Sequence, residues 1–594
     1  MIPLTTVREY DYFKGTKWLP QLGDSKRRDE APGFLGLDTE TYAEDASLLC
    51  LSDSQGRTLD GPTDFDKIFR FLTAHGRHTY FCWNLGYDAM IILKHLPFDT
   101  LKELRDEGFQ GTAGITKVKY LIKKCLVLRR PKKVVHLYDA AQFYNRLSLA
   151  EASKTYLGDQ KVYDGKYQNK RFPKEIEPEE KEKVVRYCQK DADLCYRLVW
   201  LWVQAFHKNF GFYPSRFYST GYIMHELLKQ KQIPFPYYDL IPEEVQKFAY
   251  RCYFGGRFEI FKRGKFQNVY VYDINSAYPY AISQMPDWSS GAGKWQRWSF
   301  GASTTPTYAF YRIKGDLKPD LTIAPFMFRK PNGAVICPSG RFETYCTLSE
   351  ANAASGKDYL DFGEWLVTDG WLFEGPRHRR LADLMEEMYE VRQSLTHGDQ
   401  RLIYRILMNS LYGKTAQIKP RTGILFSPVI CAYITGFCRA MLYAGVRGFE
   451  DRVIGFATDS IISEEPLPLK IGTKMGEWKE EKVKDFAVYM NGVYFKEGKP
   501  HTRGFSPKTI LPSGEVGLLL YDTLKAYIDG GTVKFDVQFL KPNTLLESLR
   551  RGLEIAKMEI RGKEIDLNGD HKRLWYSPLM GLEDKSQSRS VTIG

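Results

Sequence analysis

Apolar and polar positions along the first part of the chain alternate between two periods. Short apolar runs at Gly33 to Leu37, Thr79 to Trp83 and Val134 to Tyr138 have the length and β-forming content of buried strands, and stretches of helical spacing separate them. This rhythm predicts a mixed α/β unit over residues 1–205. Pro178 followed by Glu179 and Glu180 is a helix start, and the periodic segment after it runs through Tyr187, Asp191 and Leu194 towards Phe206. Residues 206–300 read as strands, 300–375 are rich in Gly, Pro and Thr, and 377–413 read as two helices about a turn at His397-Gly398. Strands are expected again to residue 530, followed by a helical piece at Thr544 to Ile560 and a polar tail.

Within the first unit, Lys117 to His136 carries eight basic residues and no acid, interleaved with Val, Tyr, Leu and Ile. That alternation predicts a basic hairpin, either a solvated strand face or a track for phosphates. The whole chain leans the same way. It has 85 Lys and Arg against 72 Asp and Glu, a net charge of +13, which favours a polyanionic partner. With 594 residues and 43% apolar content, several folded domains are expected and a disordered chain is excluded. Ten cysteines without a C-x-x-C pair point away from zinc ribbons and iron–sulfur clusters. Arg8, Glu9 and Asp11 interrupt any signal-like start, and no run of eighteen apolar residues occurs. The expectation is a monomeric, cytoplasmic protein without membrane contact.

Candidate chemistry lies at strand ends. In Gly36-Leu37-Asp38-Thr39-Glu40 the two carboxylates, two residues apart, share one sheet face. Asn84-Leu85-Gly86-Tyr87-Asp88 follows a second apolar strand and places Asp88 one turn into a helix. Tyr187 and Asp191, four apart, share a helix face, where a phenol can orient water beside a metal-bound carboxylate. Together these supply four carboxylates for two hard cations, as two-metal phosphodiester hydrolysis requires. A second set begins at Asp273, which ends the alternating strand Val269 to Tyr272. It continues at Asp459, which a hairpin from Arg452 to Ser463 would present. Two such aspartates on neighbouring strands can clamp two magnesium ions for phosphoryl transfer. Between them, Arg401, Arg405, Asn409 and Tyr412 share one helix face, opposite Leu402, Ile403, Ile406 and Leu407. That face, with Arg392 on the preceding helix, can bind a nucleoside triphosphate.

In this order the residues resemble a family B DNA polymerase with a proofreading exonuclease. Asp38, Glu40, Asp88 and Asp191 are similar to the metal ligands of the family's three exonuclease motifs, with Tyr187 as the water-orienting phenol. Tyr253-Phe254-Gly255-Gly256 resembles the Y-x-G-G segment, and Asp273 to Pro279 resembles D-x-x-S-L-Y-P. Arg405 to Gly413 resembles K-x-x-x-N-S-x-Y-G, and Thr458-Asp459-Ser460 the tail of D-T-D-S. The resemblance implies a ribonuclease H-like exonuclease domain joined to a right-hand polymerase of palm, fingers and thumb, an α/β and α+β multidomain fold. It implies catalysis at Asp273 and Asp459 with two Mg2+ or Mn2+ ions in each active site. Nucleotide contacts fall at Tyr278, Arg392, Arg405, Asn409 and Tyr412, and DNA contacts at Tyr253, Gly255, Gly256, Thr458 and Tyr494.

The separation of about 119 positions from Asp273 to Arg392 resembles the protein-primed branch of small phages and linear plasmids. The partners so implied are primer-template DNA, dNTPs and a terminal protein. The implied division is exonuclease 1–205, palm 206–299 and 418–530, a terminal-protein-region-one-like insertion 300–375, fingers 376–417 and thumb 531–594. Four departures stand out. Arg405 replaces the family's Lys, Ala457 the first Asp of D-T-D-S, and Gly492 the Lys of K-x-Y, and only a short loop, Ile418 to Phe426, is present where a second insertion is expected. These keep two alternatives open, a 3′-5′ exonuclease with a degenerate polymerase half and a primer-independent polymerase. A non-catalytic nucleic-acid-binding scaffold is a third.

Overall fold

The computed structural model describes residues 29–593 apart from 77, 161–162, 168–170, 237–239, 290, 300–305, 356–362, 397, 418–424, 512–515, 520 and 529–532. Arg8, Glu9, Asp11, His397 and most of the 418–426 loop therefore lie outside the described residues.

The first unit is built on an eight-stranded sheet. Its centre is three parallel strands, Leu35–Thr41, Thr79–Cys82 and Lys133–Asp139, at the positions the apolar runs predict. The long helix Pro178–Phe210 crosses the first of these. It lies so close that a Cβ on Gly36 would sit 1.9 Å from the Ala192 carbonyl oxygen, so only glycine fits there. The basic segment forms two strands, Thr116–Leu121 and Cys125–Arg130, that continue the sheet from Lys133–Asp139.

After this unit the chain departs from the expected strands. Residues 206–300 begin with two helices, Thr220–Gln230 and Glu243–Arg251, before strands start at Arg257. Ser219 caps the first by accepting the Tyr222 N–H, and Ile223, Met224, Leu227 and Leu228 form its buried stripe, a helical spacing inside a β-branched and aromatic composition. A second strand expectation fails at Pro428–Val446, a helix of 19 residues. Its Val, Ile, Tyr and Phe content suggests a strand, but Ser427 caps it, Pro428 starts it, and it is apolar nearly all round because it runs through the core. Among the described residues it is the one helix long and apolar enough to cross a membrane, and 78% of its apolar window is buried within the protein. The two helices Arg379–Ser394 and Gly398–Thr415 appear as predicted. The helical piece near the end is only Leu545–Arg551. Gly552, at φ +67°, stops it, and Met558–Asp566 is a strand.

The second large sheet runs in the order Lys499–Thr502, Val493–Lys496, Trp478–Met490, Lys262–Ile274, Ser460–Ser463, Val453–Thr458, Arg257–Ile260. Beside it, Lys294–Arg297, Gly363–Glu374, Tyr308–Leu317 and Ser339–Thr347 form another sheet, completed by Thr592–Ile593 from the far end of the chain. A four-stranded sheet includes Lys534–Pro542 and Met558–Asp566. The largest apolar cluster is continuous from Phe34 and Phe81 in the first sheet to Tyr272 and Phe456 in the second, so the two halves share one core.

A buried ionic triad fastens the chain's last segment to the second sheet. The Glu259 carboxylate accepts from Arg257 Nη2 at 2.7 Å and from Arg573 Nη1 at 2.5 Å, and Arg573 Nη2 donates to the Thr322 carbonyl at 2.5 Å. All three side chains are almost wholly buried. Removing the carboxylate alone leaves two guanidinium groups unpaired in a dry site, so Glu259→Ala is expected to destabilise the protein by roughly 3–5 kcal/mol. Thermal melting checks this; an unchanged melting temperature contradicts it.

Candidate active sites

Two carboxylate sites form, one on each large sheet. On strand Leu35–Thr41 the side-chain alternation puts Gly36, Asp38 and Glu40 on the face beneath the long helix. The close approach at Gly36 brings Asp191 onto the two acids. Ligand oxygens of Asp38, Glu40 and Asp191 all lie within 4.8 Å of one another. Tyr187, one turn earlier, hydrogen-bonds Asp191; burial, then the charges of Asp191, Glu40 and Asp38, push its phenol above the ordinary range. Three carboxylates this close repel one another unless a cation lies between them, so the donor set fits hard divalent ions.

Asp88, on helix Gly86–Leu93, lies outside this group. Its Oδ1 accepts from Thr39 Oγ1 at 2.7 Å, on the opposite side of the strand from Asp38. Burial, with Asp139 adding repulsion, pushes it up to about 7. Asp139 is a buried acid the sequence reading passed over. It ends strand Lys133–Asp139, pairs with Arg146 at 2.6 Å and accepts the Leu85 N–H at 3.3 Å. Its signal was the one used for Asp38 and Asp273, an acid closing an apolar strand.

On the second sheet, Lys262–Ile274 pairs antiparallel with Ser460–Ser463 so that Asp273 lies opposite Ser460. The hairpin turns at Thr458, whose φ is +68°, and the Asp459 N–H donates to the Ala457 carbonyl at 2.8 Å. The Ile274 N–H then donates to the Asp459 carbonyl at 3.0 Å, and Ser460 Oγ bonds Asp273 Oδ1. The two aspartates thus meet across neighbouring strands. Burial, then the Asp273 charge, pushes the Asp459 carboxyl up to about 6, the mark of two acids that a metal ion would satisfy.

Aromatic and cationic groups line the same place. The chain turns at Ser276 (φ +51°) into helix Ala277–Ser283, and the Tyr278 ring lies 4.3 Å from that of Tyr412. The Tyr412 hydroxyl is 3.3 Å from that of Tyr253. A Cβ on Gly256 would come within 2.8 Å of Thr458 Cγ2, and Gly255 needs its φ of +79°. The Gly255 carbonyl accepts from Arg439 Nη1 at 2.5 Å, and Arg439 is itself buried against Glu350 at 2.8 Å. Arg439 and Glu350 thus shape the Tyr253–Gly256 segment, and sequence spacing gave no sign of either. Arg392 Nη1 donates to Ser276 Oγ at 3.0 Å; burial, then nearby Arg405 and Arg401, holds its guanidinium below the ordinary value. Arg405 and Asn409 are exposed on the polar face predicted for Gly398–Thr415, while Leu402, Ile403 and Leu407 are buried.

Tyr494 stacks on His501 with centroids 4.6 Å apart, close enough to Asp273 to feel its charge. The departure at Gly492 has a steric partner: a Cβ there would come within 2.8 Å of Arg503 Cβ. The Arg503 guanidinium lies 3.6 Å over the ring of Phe258, whose strand partner is Ala457. The sheet therefore carries a cation near both altered positions, contributed by a residue the motif reading did not include.

A family model described as DNA polymerase type B, organellar and viral, matches residues 121–428, more than half of the chain. The chain belongs to this family. A DNA polymerase of Acidianus bottle-shaped virus is 25% identical over 283 residues, 44% of this chain and 41% of the relative. A probable DNA polymerase of Ascobolus immersus is 26% identical over 245 residues, 38% of this chain and 19% of the relative. The chain thus matches less than half the length of either relative. Phi29 DNA polymerase complexed with primer-template DNA has the same fold, with a TM-score of 0.61 at 15% identity over 90% of this chain and 100% of that one. The fold is the expected one, an exonuclease unit joined to palm, fingers and thumb.

The raised Asp459 carboxyl sets a sign. A carboxyl whose folded pKa exceeds its unfolded one favours folding below the unfolded value, near 3.8, and that contribution is lost as pH rises through about 6. In chelator-treated protein, Asp459→Asn is expected to melt above wild type at pH 7.5, with the gap closing towards pH 4. Added Mg2+ should raise the melting temperature of wild type more than that of the variant. Scanning calorimetry across pH checks both; a variant that melts below wild type at pH 7.5 contradicts the repulsion.

Proposed function

We propose that this chain is a DNA-templated DNA polymerase with its own 3′-5′ proofreading exonuclease, acting in a replication system that starts on a terminal protein. The observation that carries the reading is the meeting of Asp273 and Asp459 beside Tyr278 and Tyr412, in a chain that holds a second, separate carboxylate cluster.

In the polymerase reaction a primer 3′ hydroxyl attacks the α-phosphate of a dNTP and pyrophosphate leaves. Asp273 and Asp459 would hold divalent cations there, two in number, and those ions supply charge stabilisation to the attacking and leaving oxygens. Arg392 and Arg405 bind the triphosphate, and Asn409 lies on the same helix face. Tyr278 packs under the sugar and excludes a 2′ hydroxyl, which selects deoxynucleotides, and Tyr412 packs against the nascent base pair. Tyr253, Gly255, Gly256, Thr458 and Tyr494 contact the DNA. In the exonuclease, Asp38, Glu40 and Asp191 would hold the cations and Tyr187 would orient the attacking water; Asp88, read from its motif as the fourth ligand, would have to leave its bond to Thr39 to join them. Phi29 DNA polymerase has been solved with primer-template DNA and incoming nucleotide, which supports this choice of substrates.

The division into domains follows: exonuclease 1–205, palm 206–299 and 418–530, fingers 376–417 and thumb 531–594. The sheet of residues 294–374, between Asp273 and Arg392, supports a terminal-protein-region-one-like insertion and hence protein priming. The meeting of Asp273 and Asp459 despite Ala457 favours the polymerase over the degenerate-polymerase alternative, whose remaining motive is Gly492.

Separate sites predict separable losses. With Mg2+, dNTPs and a primed template, Asp459→Asn is expected to lower incorporation at least a hundredfold and spare 3′-5′ digestion, while Asp191→Ala does the reverse. Gel-resolved primer extension and degradation read both. Joint loss in either variant, or no incorporation by wild type, overturns the reading.

A further inference from the structure

The second sheet is curled. Lys499–Thr502 and Arg257–Ile260 stand first and last in its strand order, yet Arg503, the residue after the one, holds its guanidinium 3.6 Å over the ring of Phe258 in the other. The two edges therefore approach each other across one face of the sheet, and strand pairing identifies that face. Directly opposite residues share a side, and Asp273 pairs with Ser460 while Phe456 pairs with Ile461. Phe456 and Ile461 belong with Tyr272 to the shared core. Ala457, one position on, and its partner Phe258 therefore lie on the side of Asp273, which Ile260 and Val271 also line.

Arg503 is fixed there by its backbone and open at its side chain. Its N–H donates to the Gly492 carbonyl at 2.8 Å, and the missing Cβ of Gly492 lets the two residues lie this close. The side chain is exposed and makes no ion pair among the described residues. Its contact with Phe258 uses the flat face of the guanidinium and leaves the N–H edge for a ligand. Lys496, on the strand beside it, is by contrast paired with Glu481 at 2.7 Å. Tyr494 connects the place to the carboxylates. Burial raises its phenol, Arg503 draws it back and Asp273 adds to the rise, so a single hydroxyl feels both charges.

We propose that Arg503 grips a backbone phosphate near the 3′ end of the primer strand, and that Ala457 and Gly492 are the two substitutions that make room for it and leave its charge free. This role rests on the polymerase reading above. An open guanidinium edge matches the paired oxygens of a phosphodiester. Position selects the strand. In-line displacement sets the attacking oxygen and the leaving pyrophosphate on opposite sides of the reacting phosphorus. Arg392, assigned to the triphosphate, lies at Ser276, past the end of the Asp273 strand. Arg503 lies instead beside Ala457, two residues before Asp459, which suits the strand that brings the hydroxyl. A carboxylate at position 457 would stand next to Phe258 beneath the guanidinium and neutralise it, whereas alanine does not.

The test is equilibrium binding of primed template DNA in chelator without nucleotide, so that neither reaction runs. The proteins compared are wild type, Arg503→Ala, Arg503→Lys and Ala457→Asp. The DNA carries ordinary linkages or one neutral methylphosphonate, placed in turn along the end of the primer or along the template opposite. Arg503→Ala is expected to weaken binding of ordinary DNA about tenfold and to lower the slope of log affinity against log salt by about 1. Arg503→Lys should recover most of the loss, because the charge returns without the fork. A neutral linkage at one primer position should cost wild type a similar factor and cost Arg503→Ala nothing further. Coupling to a template linkage instead, or to none, overturns the proposal. Ala457→Asp restores the family's acid and should nonetheless weaken binding; tighter binding contradicts a free cation. In steady-state extension Arg503→Ala should raise KM for primed DNA and leave KM for dNTP unchanged, a split that a merely structural role would not give. A chain that couples Arg503 to a primer linkage yet incorporates no nucleotide sinks the polymerase reading and keeps the phosphate contact.

Discussion

The antiparallel register between Lys262–Ile274 and Ser460–Ser463 is the constraint from which the polymerase half follows. Side chains in a sheet repeat every two residues, so a slip of one position would turn Asp273 to the opposite face and leave Asp459 alone. Burying two like charges side by side costs stability, and the surroundings supply it. The apolar cluster beneath the strands, the Glu259 triad and the Arg439–Glu350 pair hold the backbone where relaxation would otherwise separate the acids. A site of this kind is strained when empty and would be relieved by a divalent cation.

The carboxylate cluster on the first sheet uses a different device for the same end. A glycine removes the side chain that would keep a helix at ordinary distance from a strand, and the helix backbone descends until Asp191 joins Asp38 and Glu40. One half relies on strand register and the other on a missing Cβ. Both put acids from distant parts of the chain within a few ångströms.

Much of this was legible in the sequence because it is local. The strands that carry Asp38 and Asp273, the i, i+4 relation of Tyr187 and Asp191, and the polar stripe from Arg405 to Tyr412 are fixed by backbone period, and the structure has those elements, though the first strand runs on past Asp38 to Thr41. What was not legible depends on partners far along the chain. Arg439 reads as a lone charge in an apolar run until Glu350 lies beside it, and Arg503 has no motif to announce it. The helix Pro428–Val446 was misread because β-branched and aromatic residues fit a strand as well as a fully enclosed helix, and only the cap at Ser427 separates them. The helices at 220–251 were missed for a related reason: the apolar spacing was present, and the composition outweighed it.

The short strand Thr592–Ile593, lying alongside Ser339–Thr347, together with Arg573 reaching Glu259 and Thr322, bears on how the molecule is made. Domains tend to fold as they leave the ribosome, the earliest first. The eight-stranded sheet and its long helix lie within the first 210 residues and can close while synthesis continues. The other half cannot: two of its sheets wait for residues near position 590. A nascent chain would therefore hold its first sheet closed for most of its translation before the second half could assemble against it.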